Sequence, residues 1–378
     1  MKFSQQQLHD LEDPSASLLR FKELLDPCDD LLLEKRARTS AAITRRFFGR
    51  TMQLFAPLYL SNECINSCAY CGFSRDNPIL RVTLDMEQVA AEASYLASQG
   101  FRSVLLVAGE HPKFISNGYL IDSVKRLKPL FHSIMLEVAP MEETAYEQFV
   151  QAGVEGIIVY QETYNPDVYQ EVHTAGPKKN FHWRLDSLQR AYQAGCRRLG
   201  AGVLFGLADW RTEALALGAH LFFLQRYCWQ AQLSVSLPRL RPAAGGFLPR
   251  FSLSDRDFAQ LLFALRITFP RIQLVLSTRE NATFRDAIAP LGVTMMSAGS
   301  HTEPGGYTGQ GAENLHHTLG GKKIEVSCYE RCATKQFEIS DERPPWLVAR
   351  NLKSLGFEVI WKDWDHEILG TSVAENKK

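Results

Sequence analysis

From about residue 54 the chain alternates short apolar runs, rich in β-branched residues, with longer stretches whose apolar positions recur every three or four residues. That is the pattern of strands alternating with helices around a parallel sheet. The runs predict strands over 54–60, 103–108, 133–138, 156–161, 198–204, 233–237, 272–277 and 293–297. The helices between them carry their own punctuation. Asp85 precedes Met86, Gln88 is placed to complete a capping box, and Met86, Val89, Ala93 and Leu96 share one face before Gly100 stops the helix. Predicted helices over 142–152 and 183–194 likewise stop at Gly153 and Gly195. Eight alternations predict an α/β fold, a closed (β/α)8 barrel of the TIM type, with a doubly wound open sheet as the alternative. The barrel is preferred because polar residues and glycines cluster just after each strand, where barrel enzymes assemble their sites.

Outside this core, residues 1–50, with Leu8, Leu11, Leu18, Leu19, Phe21, Leu24 and Leu25, read as an N-terminal helical extension. Residues 51–300 form the barrel. Residues 301–378 are a C-terminal extension expected to cap it, with a helix to Leu355 and an extended run over 359–361. No Pro/Gly/Ser-rich linker divides the chain, and a barrel with extensions is an ordinary use of 378 residues.

Charge narrows the partners. Lys plus Arg equal Asp plus Glu at 42 each, so the basic surplus that nucleic acid or an anionic membrane would call for is lacking. The polar start, Met1-Lys-Phe-Ser, has no apolar h-region, and no run approaches the roughly 18 apolar residues of a membrane span. The expectation is a cytoplasmic protein. Its eight cysteines then favour metal or redox chemistry over a disulfide framework.

Three of those cysteines lie just after the first predicted strand, in Cys64-Ile-Asn-Ser-Cys68-Ala-Tyr70-Cys71. Thiolates at C-x3-C-x2-C on one loop can hold three corners of a [4Fe–4S] cube and leave the fourth iron open. An open position lets a substrate or cofactor bind the metal. A fully ligated electron-transfer cluster would need a fourth cysteine near by, and the next, Cys196, is 125 positions on. A thioredoxin-like pair at Cys68 and Cys71, or a zinc site, are the competing readings. Cys28, Cys196 and Cys228 read as packing residues.

C-x3-C-x2-C with an aromatic before the last cysteine resembles the signature of the radical S-adenosylmethionine (SAM) superfamily, matched here by Cys64, Cys68, Tyr70 and Cys71. The flanks narrow the resemblance: Pro57-Leu-Tyr-Leu-Ser-Asn, Cys71-Gly-Phe-Ser, Val107-Ala-Gly109-Glu110-His111, Val159-Tyr-Gln-Glu162-Thr-Tyr164, Pro238-Arg239-Leu-Arg241-Pro242, Leu276-Ser-Thr-Arg279-Glu280 and Trp361-Lys-Asp-Trp364. From about residue 50 onward the chain resembles the tyrosine lyases (2-iminoacetate synthases) of thiamine-thiazole biosynthesis. Cys328-x3-Cys332 departs from that pattern and is reminiscent of the [FeFe]-hydrogenase maturase, which carries a further downstream cysteine; none follows Cys332 here.

The resemblance implies a [4Fe–4S] cluster whose open iron binds SAM, and a 5′-deoxyadenosyl radical made when one electron breaks the sulfonium bond. That radical abstracts hydrogen from the amino group of L-tyrosine, and the Cα–Cβ bond then breaks. The implied partners are a thiazole synthase and a flavodoxin- or ferredoxin-type reductant. By the same resemblance Gly109 and Glu110 hold the SAM ammonium, and Gly202 with Gly206 contact adenine, Asp209 standing where the motif has Glu. Arg184 is the candidate for the SAM carboxylate and Glu162 for a ribose or polar network. Arg279, with Ser277 and Ser297 on the same face, is the candidate for the tyrosine carboxylate. Tyr164, Arg239, Arg241 and Tyr307 are possible contacts to the ring and hydroxyl, among which the sequence does not choose. The Pro304-Gly-Gly-Tyr307 turn is either a lid or an ordinary turn, and His111, His173 and His182 are either proton carriers or structural hydrogen bonders. Rival readings are a tryptophan lyase, the hydrogenase maturase and an iron–sulfur electron carrier or scaffold.

Overall fold

The computed structural model describes residues 15–325 and 332–361; Leu8, Leu11, Cys328 and Trp364 lie outside them. Eight parallel strands form the barrel: β1 (Thr51–Ser61), β2 (Ser103–Ala108), β3 (Ser133–Glu137), β4 (Gly156–Glu162), β5 (Arg198–Val203), β6 (Gln232–Ser236), β7 (Gln273–Leu276) and β8 (Met295–Ser297). Each pairs with the next, and β8 returns to β1 with Gln53 opposite Met295 and Phe55 opposite Ser297. The sheet is therefore closed, and the open-sheet alternative falls. β2 and β5 are buried along almost their whole length, as strands covered by helices on one side and by the barrel interior on the other must be.

The helix α1 (Met86–Ser98) starts in a full capping box, with the Asp85 carboxylate accepting from Gln88 N and the Gln88 side chain from Asp85 N. It buries Val89, Ala93 and Leu96. Gly153, at φ 112°, ends the helix Glu143–Ala152 in the left-handed region, where glycine carries no Cβ penalty. The expected helix over 183–194 is broken into Phe181–Leu185 and Ser187–Gln193, with Asp186 between them.

N-terminal to the barrel, Ala16–Leu25 and Asp30–Phe48 are helices packed on its outside. Phe21 is fully buried, and a side chain at Gly218 would meet its ring at 2.5 Å. Cys196 and Cys228 are core residues, and Cys28 is half-buried. Two findings alter the expected C-terminal arrangement. The run expected as an external cap over 359–361 is instead a ninth strand, β9 (Glu358–Ile360), parallel to the foot of β1 with Thr51 opposite Glu358. A segment just before it, 332–341, crosses the barrel mouth. Thr334 N donates to Leu80 O and the Thr334 hydroxyl accepts from Leu80 N, Gln336 N donates to Thr302 O (2.9 Å), and Ser340 N donates to Thr278 O (2.9 Å).

Candidate active site

The cysteine loop leaves β1 and is tied down at several points. Gly109 N donates to Ser61 O, and a Cβ at Gly109 would sit 2.2 Å from Glu63 O, so only glycine lets β2 end this close to the loop. Asn66 donates to the Glu110 carboxylate (2.6 Å) and lies 3.7 Å from Cys64 Sγ. Ser67 and Cys68 form a short antiparallel bridge with His173–Ala175. Tyr70 Oη is 2.7 Å from His173 Nε2, while His173 Nδ1 lies 2.8 Å from Tyr169 O. A carbonyl can only accept, so Nδ1 carries the proton and Nε2 accepts from Tyr70. Burial, with the Lys178 ammonium facing it, pushes His173 down to about 3, which makes it a neutral structural bonder at physiological pH.

Beside this loop Lys178 Nζ sits 2.8 Å from Glu162 Oε1, and Arg184 Nη2 lies 3.4 Å from the same oxygen. Burial alone would raise Glu162, but Lys178 and then Arg184 more than offset it, and the carboxyl lies below its ordinary range. Glu162 is also the one non-glycine residue with positive φ (71°) among the described residues, at a register shift in β4. Lys178, which sequence reasoning missed, thus joins the cysteine loop to the end of β4.

The donor set fits a cluster. Burial, opposed by Lys178, pushes the Cys68 and Cys71 thiols up. Such thiols become thiolates when a bound cation compensates them. Cys64, Cys68 and Cys71 lie on one loop, which suits a cube that takes its thiolates on separate iron atoms.

Two cavities open at this mouth. The first, of ≈ 670 Å³, lies over the barrel axis, with an apolar wall of Phe55, Leu105, Val107 and Val275 and with Glu137, Ser236, Arg279 and Ser297 as polar groups. The second, of ≈ 480 Å³, adjoins the cysteine loop and is lined by Tyr70, Cys71, Glu162, Lys178 and Gln336. Glu137, Tyr160, Arg279 and Phe337 line both. The Ser297 hydroxyl accepts from Thr278 N (3.1 Å), which fixes it at the end of β8.

Other expected residues are placed elsewhere or differently explained. At Gly202 a Cβ would meet the Tyr160 ring at 2.5 Å, and at Gly206 the Leu240 side chain at 2.8 Å, so protein neighbours fill the space beside both glycines. Asp209 caps the helix Trp210–Tyr227. Arg239 is bound to Glu280 and to Asp255 (2.7 Å), and Tyr164 to His220 (2.7 Å). Of the four suggested ring contacts, Arg241 lines the second of these two cavities and the other three line neither. Tyr307 is pinned to α1 by Glu92, whose carboxylate accepts from Tyr307 N (3.0 Å), so the Pro304 turn is an anchored turn and not a lid. His111 packs on Phe114.

A barrel with a three-cysteine loop after its first strand and a chamber at the strand ends defines a class of enzyme. Residues 58–216 match the radical SAM superfamily, and residues 236–358 match the Biotin and Thiamin Synthesis associated domain. The chain belongs to the 2-iminoacetate synthase family of the radical SAM superfamily. It is 40% identical to the 2-iminoacetate synthase of Escherichia coli and 38% identical to that of Salmonella typhimurium, in each case over 90% of this chain and 86% of the relative. Its fold matches the crystal structure of HydG, a maturase of the [FeFe]-hydrogenase, with TM-score 0.84 and 28% identity, covering 97% of this chain and 82% of that one.

Proposed function

We propose that the chain is a lyase that cleaves the Cα–Cβ bond of L-tyrosine to 2-iminoacetate (dehydroglycine) and p-cresol, with 5′-deoxyadenosine and methionine formed from SAM, and so supplies the thiazole moiety of thiamine. The observation that carries this is the 40% identity to the E. coli 2-iminoacetate synthase over 90% of the chain. When bound, the [4Fe–4S] cluster and SAM supply a 5′-deoxyadenosyl radical.

Cys64, Cys68 and Cys71 hold the cluster in this reading, and the second cavity, beside Cys71 and Tyr70, takes the cofactor. Glu162, Lys178 and Arg184 form its charged wall, and Gly109 and Glu110 fix the loop. The first cavity takes tyrosine. Arg279 and Ser297 receive its carboxylate, since a guanidinium fork matches a carboxylate, and Phe55, Leu105, Val107 and Val275 receive its ring. The strap over the mouth, with Gln336 bonded to Tyr59 Oη (2.7 Å) and Phe337 on the cavity wall, restricts water and stray hydrogen donors. Because an imine hydrolyses readily, hand-over to a thiazole synthase follows, and a flavodoxin- or ferredoxin-type protein supplies the electron.

Reconstituted protein incubated anaerobically with dithionite, SAM and L-tyrosine is expected to give both 5′-deoxyadenosine and p-cresol, and Cys68→Ala neither. Deoxyadenosine without p-cresol would move the substrate; carbon monoxide or cyanide would point to maturase chemistry, and an indole product from tryptophan to a tryptophan lyase.

A further inference from the structure

Two opposite charges line the first cavity, and among the described residues neither is held in an ion pair. Glu137 ends β3 with its carboxylate on the walls of both cavities. No hydrogen bond or ion pair holds that carboxylate among the described residues. Arg279, on the loop after β7, stacks its guanidinium 3.3 Å from the Phe337 ring centroid and makes one long bond, 3.5 Å, to Arg239 O. No carboxylate pairs with it among the described residues. Interior charges are ordinarily paired, because an unpaired one costs stability. Every other carboxylate and cation nearby obeys that rule: Glu162 with Lys178 and Arg184, and Glu280 with Arg239 and Arg241.

We propose that Glu137 is the receptor for the substrate's ammonium group, so that Glu137 and Arg279 together clamp the zwitterion of an α-amino acid. An α-amino acid presents a cation and an anion on one carbon, and the two side chains present their complements from opposite walls of one chamber. The apolar wall between them leaves the side chain of the substrate to the barrel axis. This rests on the tyrosine-lyase reading and adds to it the residue that orients the amino group toward the second cavity, which Glu137 also lines.

The electrostatics give the clamp a pH signature. Burial first, then the Glu162 charge, raise Glu137 to about 7, against the opposing pull of Arg279, Arg184 and Lys178. Tyr59 and Tyr160 also face it, and burial keeps both phenols neutral, while Tyr70, Cys71 and Arg241 share the second cavity with it. An ammonium binds the ionised carboxylate, so tyrosine affinity should rise roughly tenfold per pH unit up to about 7 and then level off.

The test measures binding of L-tyrosine, and separately of its des-amino analogue 3-(4-hydroxyphenyl)propionate and of SAM, to the cluster-loaded enzyme from pH 5.5 to 8.5. In the wild type, tyrosine should show the rise and the analogue should not. Glu137→Gln should bind tyrosine at least about tenfold more weakly at pH 8, with a flat profile, and bind the analogue as the wild type does. Glu137→Asp should keep the rise at intermediate affinity. Tyrosine binding in Glu137→Gln within twofold of wild type and with the same profile would overturn the clamp. Weakened SAM binding with tyrosine unaffected would overturn it too. A wild type that makes p-cresol while Glu137→Gln binds normally sinks the clamp alone; a wild type that neither binds nor cleaves tyrosine sinks the lyase reading with it.

Discussion

The two sides of the barrel mouth are built on opposite principles. On the cysteine side nearly every polar group is tied: Asn66 to Glu110, Tyr70 to His173, Glu162 to both Lys178 and Arg184. On the other side Glu137 and Arg279 are held in no ion pair among the described residues. A resident metal cluster calls for ligands fixed before it arrives, since second-layer contacts orient the ligands. A transient substrate calls for groups whose satisfaction waits for it, and sites of this kind trade stability for binding. The contrast separates what is permanent in the site from what turns over.

The largest effect should come from tightening the tied side past its tolerance. Gly109→Ala forces a Cβ to within 2.2 Å of Glu63 O, so the cysteine loop must shift, and iron content and visible absorption after reconstitution should fall to near background. On the open side, Arg279→Leu should weaken tyrosine binding about 100-fold, or about 2.7 kcal/mol. Its melting temperature should hold or rise, because an unpaired interior charge has been removed; a marked drop in stability would erase the contrast. The smallest effect should be Lys178→Met, a loss of about 1–3 kcal/mol at pH 7 by thermal unfolding. Glu162 lies below its ordinary value when folded, so its pairing stabilises fully above the unfolded carboxyl value of about 4.3 and is lost as pH falls through the lower folded one. The wild type's advantage over Lys178→Met should therefore narrow on acidification below about pH 4 and persist at neutral pH.

The barrel was legible because its strands are apolar runs separated by helical periods, and all eight predicted runs became strands with shifts of a few residues at their ends. The cysteine loop was legible because its chemistry is local in sequence. Lys178 was not. It lies in a Gly-Pro-Lys-Lys stretch that reads as a turn, and it is brought to the cysteines by the bridge between Ser67–Cys68 and His173–Ala175 and by its own N–H, which donates to Asn66 Oδ1 (2.9 Å). The left-handed Glu162 was equally hidden, since nothing in Tyr-Gln-Glu-Thr announces a bulge. Glu137 did carry a signal, an acid at the C-terminal end of a barrel strand, but an unpaired charge becomes visible only once its neighbours are placed. The break at Asp186 escaped because the apolar period runs through it.

β9 adds a temporal constraint. The strand that carries the cysteine loop pairs with β2 along its upper half, and its base pairs with Met295–Ser297 and with Glu358–Ile360, about 300 residues downstream. Contacts of such long range form late, after the loop-closure entropy of most of the chain has been met. During synthesis the thiols of Cys64, Cys68 and Cys71 therefore sit on an incompletely paired strand until nearly the whole polypeptide has emerged. The base of the strand that presents the three cysteines is thus completed by the last strand of the described fold, so damage to Glu358–Ile360 reaches the cysteine loop through β1.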